Sequence, residues 1–438
     1  MRERNIKILL VCVICLLSAL LFISCDQANV DLQDDTSAPT DSAENPTEAP
    51  VAPHVHGFGD WNLTLDATCT TAGREERACE CGEKESRLTA MIDHDFENGI
   101  CKACDLAVSH GLEYISNGDG TCYVSGIGSC TDADIVIPEE YNGERVTGIG
   151  EEAFMYCEIE SVVIPNSIEA IGSGAFFFCE ELERVVLGNG VTDFGDAIFM
   201  CCINLHSVYI NDLLAWCDNA VARYFSIVRE LYLYGELLTD VVIPEGVTEI
   251  KPRTFALCWS IKSVTLPEGL TTIGERAFTD CSALESINIP DSVTVIGEGA
   301  FSACRSLTSI NIPKEIAIIS ENAFAMSGLT SVTVPKNVNW IAPNAFSNCM
   351  DLTSVTVIGN RYTSIDDMAF YRCDKLTSVT LGVGVIEFKA STFSKCKSLV
   401  DVYYGGTIAQ WNAIDKPQKW NDGSDDRVIH CTDGDIPK

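Results

Sequence analysis

Phenylalanine recurs at Phe154, Phe176, Phe199, Phe255, Phe278, Phe301, Phe324, Phe346, Phe370 and Phe393, at spacings of 22, 23, 56, 23, 23, 23, 22, 24 and 23 residues. A period of that size marks one supersecondary unit copied and stacked, because a unit so short cannot close a core of its own. The fold predicted is therefore a β-rich solenoid of about ten 22–24-residue coils with short helical turns. Such a scaffold offers a long surface and seldom a deep pocket, so binding is expected before catalysis.

One unit, residues 283–304, reads ALESINIPDSVTVIGEGAFSAC. Leu284, Ile287 and Ile289 alternate with Ser286 and Asn288, the period of a strand with one face in the core. Pro290 stops that strand, Val293 and Ile296 begin a second short buried segment, and Gly297 is expected to supply a permissive backbone position. Ala300, Phe301 and Cys304 close the coil in a tight turn. Proline stands eleven residues before phenylalanine at Pro165, Pro244, Pro267, Pro290, Pro313 and Pro335, which locks turn and anchor in register.

Cysteine follows three residues after the phenylalanine at Cys157, Cys179, Cys202, Cys258, Cys281, Cys304, Cys349, Cys373 and Cys396; Phe324 lacks it. A buried thiol is a small hydrophobe and a weak donor, so these cysteines are expected to pack under the turns as a column. An odd number does not pair into disulfides.

Arg2, Arg4 and Lys7 precede an apolar run of sixteen residues, Ile8 to Ile23, and then Ser24 and Cys25. The run is short for a span and fits an export signal, residues 1–24. Leu21-Phe22-Ile23-Ser24-Cys25 resembles the lipobox of a bacterial lipoprotein leader, in which the Cys25 thiol carries diacylglycerol. An uncleaved anchor is the rival, and either places the body outside the cytoplasm, at the membrane or cell surface. Residues 25–53 follow as a tether: from Asp26 to Pro53 there are seven acidic residues, four prolines and no basic or aromatic residue, too little apolar surface to fold. Without the leader the chain carries 26 basic against 62 acidic residues, a formal balance of −36, which excludes nucleic acid as a partner.

Residues 54–107 differ in kind. They hold few aliphatics but Cys69, Cys79, Cys81, Cys101 and Cys104, with His54, His56 and His94. Cys79-Glu-Cys81-Gly and Cys101-Lys-Ala-Cys104 lie about twenty residues apart, close to ribbon-type zinc spacing, so Cys79, Cys81, Cys101 and Cys104 are the candidate ligands of a structural zinc. Export makes a disulfide framework the alternative. No cofactor is expected for function itself.

The repeat VTVIGEGAFSAC at 293–304 and LTTIGERAFTDC at 270–281 resembles the BspA-type leucine-rich repeat of bacterial and protist surface proteins, and the resemblance runs from Gly111 to the C terminus. Residues 56–82 also resemble a small cysteine module placed ahead of such repeats. The family implies a right-handed, curved leucine-rich repeat stack, and some members are adhesins.

Residues 111–148 read as an N-terminal hairpin cap and first strand, 149–400 as repeats with an insert at 211–240, and 401–438 as a C-terminal cap. The insert and the cap match: Val208-Tyr209 runs on to Trp216, and Val402-Tyr403 to Trp411, each as a strand and a short helix laying a tryptophan over the end of a stack. Asn117-Gly-Asp-Gly120 is the hairpin turn, with a calcium loop as a weaker alternative that lacks downstream carboxylates.

The outward residues of the first strand are the candidate ligand surface: Ser263, Thr265, Ser286, Asn288, Ser309, Asn311, Ser331, Thr333, Ser354, Thr356, Ser378 and Thr380. Short hydroxyl and amide side chains form a flat face suited to an extended polypeptide or a glycan. The serines could equally bond one another as a ladder. No nucleophile, phosphate-loop or zinc-protease motif is present, and the repeat region holds only His206 and His430, so no enzyme is expected. The reading is a surface recognition or adhesion protein binding an extracellular or envelope protein or glycan; the alternative is a non-catalytic envelope scaffold.

Overall fold

The structure, a computed structural model, describes residues 57–69, 71–91, 96–97, 100–104, 106–218, 228–359, 362–423 and 427–436. The leader, Cys25, the tether, His54, His56 and His94 lie outside the described residues. The chain forms two compact units, one holding 57–62 with Glu76–Glu85, the other Leu63–Glu75 with everything from Ser86 onwards. In the smaller unit the Arg77 guanidinium lies over the rings of Phe58 and Trp61, 4.9 and 4.5 Å from their centroids, and pairs with Glu85 at 2.6 Å.

The larger unit is a β-solenoid of about 13 turns with almost no helix. It opens with the hairpin Glu113–Ser116 and Thr121–Gly126, whose Asp119 carboxylate accepts from the N–H and hydroxyl of Thr121, at 3.0 and 2.6 Å. Two parallel ladders then run through the coils. The first joins Asp134–Val136, Ser161–Ile164, Arg184–Leu187, Ser207–Ile210 and Glu230–Leu233. It resumes with Asp240–Val242, Ser263–Thr265 and Ser286–Asn288, and again from Ser331–Val334 through Ser354–Val357, Ser378–Leu381 and Asp401–Tyr404 to Val428–Cys431. Between those runs, residues 309–311 form no strand. The Asn311 side chain takes over the pairing, its amide donating to the Ile289 carbonyl at 2.6 Å and its oxygen accepting from the Ile289 N–H at 2.9 Å.

The count of ten coils, read from phenylalanines, is too low. Strands Ser207–Ile210 and Asp401–Tyr404 continue the ladder but lead into helices α1 (Leu213–Asp218) and α2 (Ile408–Ala413), and the sequence from each to the next strand has no Phe-x-x-Cys motif. The succession of strand, helix, strand and antiparallel hairpin occurs twice, ending in Glu236–Leu237 and in Gly434–Ile436. Trp216 of α1 is buried and its indole N–H donates to the Thr254 carbonyl at 3.0 Å. At the C terminus Thr407 caps α2 in a capping box with Gln410, and Trp420 packs on Phe388 and Phe393 with ring centroids 5.0 and 6.0 Å apart.

The core is a column. Successive phenylalanine rings stack face to face, 5.0 to 5.6 Å between centroids and within 10° of parallel, from Phe154 to Phe199 and from Phe255 to Phe393. The cysteine thiols form a second column: Cys179, Cys202, Cys281, Cys304, Cys349, Cys373 and Cys396 each donate to the carbonyl of the phenylalanine one coil earlier, at 3.0 to 3.3 Å. Ser327 fills the slot where the cysteine is missing and meets Cys349 Sγ at 3.4 Å.

The expected helical turns are absent from the phenylalanine corners. In all ten, the residues two before and two after the phenylalanine have φ between 53° and 65°, and only Gly174 and Gly299 among them are glycine. Left-handed torsions interrupt any helix, and they aim the N–H groups of Arg276, Phe278 and Asp280 along the stack at Glu298, Ala300 and Ser302 carbonyls of the next coil, 2.7 to 2.9 Å away. Gly297 plays a different part from the one expected: its torsion is ordinary, but a Cβ there would lie 2.5 Å from the Glu275 nitrogen, so it permits coils to approach.

Candidate recognition surface

In Ser331–Val334 burial alternates, so Val332 and Val334 enter the core while Ser331 and Thr333 face out. The register aligns Ser263 with Ser286 and Thr265 with Asn288, and further along Ser331, Ser354 and Ser378 with Asp401, and Thr333, Thr356 and Thr380 with Tyr403. The predicted residues on these strands thus align in two stretches, Ser263 to Asn288 and Ser331 to Thr380, and Ser309 and Asn311 lie between them where no strand forms. Asn311 departs from its column because its amide is spent on the Ile289 backbone.

A ladder of self-bonded hydroxyls exists, but one residue earlier than the serines. Thr330, Thr353 and Thr377 donate to the backbone carbonyls of Thr308, Thr330 and Thr353 in the preceding coil, at 3.2, 2.9 and 3.1 Å. The signal was the triplet Leu-Thr-Ser repeated at 307–309, 329–331, 352–354 and 376–378. The threonines tie coils together, and the serines of that triplet keep their hydroxyls directed outward.

Carboxylates close the serine column at both ends. Asp240 accepts from the hydroxyls of Ser263 and Thr239, the Ser263 bond being the larger cause that holds its carboxyl below the usual range. At the other end Asp401 faces His430 Nε2 at 3.0 Å while Asp435 faces Nδ1 at 3.0 Å. Two carboxylates on two ring nitrogens require both to carry protons, so the pKa of His430 is raised, chiefly by Asp401. Tyr403 stacks on that imidazole at 4.7 Å, as Tyr209 stacks on Tyr232 at 4.2 Å in the internal counterpart. The second parallel ladder, through Glu249–Ile250, Thr272–Ile273 and Val295–Ile296 and then Ile318–Ile319, Trp340–Ile341, Thr363–Ile365 and Val385–Phe388, carries the exposed apolar residues Val295, Ile318 and Trp340, the indole N–H of Trp340 donating to Asp366 at 2.9 Å.

Of the candidate zinc ligands, Cys101 and Cys104 come together with Cys69, their sulfurs all within 4.8 Å of one another. Cys79 and Cys81 lie in a separate tight turn, in which the Cys79 N–H donates to the Glu83 carbonyl at 2.8 Å and the Gly82 N–H to the Cys79 carbonyl at 2.9 Å. Among the described residues no helix is long and apolar enough to cross a membrane.

Parallel coils locked by a phenylalanine column, with a threonine ladder beside an outward polar face, define a repeat protein of the leucine-rich solenoid class. The family model for the BspA type leucine rich repeat region matches in six copies over residues 147–233, 225–353 and 339–413, and the chain belongs to that family. Similar solved structures include a leucine rich cell surface protein of Faecalibacterium prausnitzii, 26% identical, covering 72% of this chain and 99% of that one with a TM-score of 0.40. A leucine-rich repeat protein of Bacteroides ovatus is 24% identical over 69% of this chain and 85% of that one, TM-score 0.47. The pneumococcal vaccine antigen PcpA is 16% identical over 84% and 98%, TM-score 0.38. No curated protein matches.

Proposed function

We propose that the protein is a cell-surface recognition protein that binds an extracellular or envelope protein or glycan along the outward serine and threonine columns, without catalysis. The observation that carries this reading is the alignment of Ser331, Ser354 and Ser378 beside Thr333, Thr356 and Thr380 on the outer face of the ladder, while the adjoining Thr353 and Thr377 spend their hydroxyls on carbonyls of the preceding coil. Pairs of short hydroxyls repeated at strand spacing match the repeat of an extended chain laid across the coils. Export through residues 1–24, a lipid at Cys25 and an acidic tether to residue 53 belong to the same proposal, supported by the leader's charge and apolar run.

The test is capture from matrix proteins, glycans and the organism's own envelope by the chain and by a Ser354→Arg/Thr356→Arg variant, with Glu268→Arg as a surface control. Loss of capture only in the first variant supports recognition along this face. Capture confined to envelope components identifies the scaffold instead, and equal capture by all three chains refutes the assigned face.

A further inference from the structure

Among the described residues from 57 to 107, the buried apolar side chains are Ala72 and the cysteines Cys69, Cys79 and Cys101. No aliphatic core exists there, so order in this stretch calls for a cross-link. Two tight turns aim three thiols at one point. Cys69 lies in a turn closed by Thr68 N–H to the Thr71 carbonyl at 2.8 Å, with the two threonine hydroxyls 2.6 Å apart. Cys101 and Cys104 flank the turn at Lys102 and Ala103, and the Cys101 N–H donates to the Leu106 carbonyl at 2.8 Å.

We infer that Cys69, Cys101 and Cys104 together bind one thiophilic divalent cation, zinc by chemical class, with Cys79 and Cys81 outside its coordination. The Sγ atoms of Cys69 and Cys101 are 3.8 Å apart. Zinc–sulfur bonds of about 2.3 Å at the tetrahedral angle place two thiolates about 3.8 Å apart, whereas a disulfide draws them to about 2.0 Å. The third sulfur completes a triangle whose sides do not exceed 4.8 Å, and a disulfide between any two would leave it over. Three S–H bonds break and three sulfur–metal bonds form as three protons pass to solvent, so no oxidant is needed. The spacing reading of Cys79, Cys81, Cys101 and Cys104 gives way here to a set divided three and two.

The intact chain, purified with zinc alone as the probe, is assayed for bound metal and its cysteines are mapped by alkylation before and after a chelator. About one zinc per chain is expected, with Cys69, Cys101 and Cys104 gaining label about tenfold on chelation and Cys79 and Cys81 unchanged. Cys79→Ser/Cys81→Ser retains the metal, and Cys69→Ser loses it. The alkylation map needs no mutation, so an unfolded variant does not blunt the test. A disulfide linking any of the three, absence of zinc, or chelator-dependent labelling of Cys79 and Cys81 overturns the assignment.

Discussion

Gly174 and Arg253 occupy the same place in their coils, two residues before Phe176 and Phe255, with φ of 61° and 63°. Gly174→Ala isolates the torsion, because the added Cβ would meet nothing nearer than 3.6 Å. The left-handed region costs an L-residue about 1–2 kcal/mol, and a rigidified unfolded chain returns about 0.4–1 kcal/mol. Gly174→Ala should therefore lower stability by about 0.5–1 kcal/mol, and Arg253→Gly should raise it by a similar amount, since the Arg253 side chain is exposed. Arg253→Ala, which keeps the torsional cost, serves as the control. Urea denaturation read as a midpoint at constant slope measures all three. If Gly174→Ala equals or exceeds the parent, or Arg253→Gly is no better than Arg253→Ala, the corners are not strained in the way described.

Phe301→Ala removes a fully buried ring stacked on Phe278 at 5.5 Å and Phe324 at 5.6 Å, and should cost about 3–5 kcal/mol by the same denaturation assay. Cys304→Ala loses the thiol bond to the Phe278 carbonyl, which still accepts from the Cys281 N–H at 3.2 Å, so a loss of only about 1–2 kcal/mol is expected. Cys304→Ser keeps a donor, as Ser327 does, and should fall between parent and alanine. His430 should titrate above its ordinary 6.5 in an NMR experiment. Because the folded value is raised, the stabilisation is whole below the unfolded value and fades as pH climbs through the folded one, so amide exchange in Val428–Ile436 should quicken over that range. A midpoint at or below 6.5 contradicts the paired carboxylates.

The period of the phenylalanines and cysteines determined that coils stack and which side chains enter the column, because stacking copies demands the same inward residue in each copy. The likeness of the segments around Trp216 and Trp411 likewise disclosed an internal and a terminal cap. Coil number escaped, since Ser207–Ile210 and Asp401–Tyr404 add turns that lack the Phe-x-x-Cys motif. What only tertiary structure decided is where each polar group bonds. A hydroxyl at 353 finds its acceptor at 330, a thiol at 304 finds 278, and Cys101 finds Cys69, all partners from other turns of the chain. The left-handed corners follow from the same cause: inter-coil hydrogen bonds impose torsions that Leu257 or Met326 would not choose in isolation.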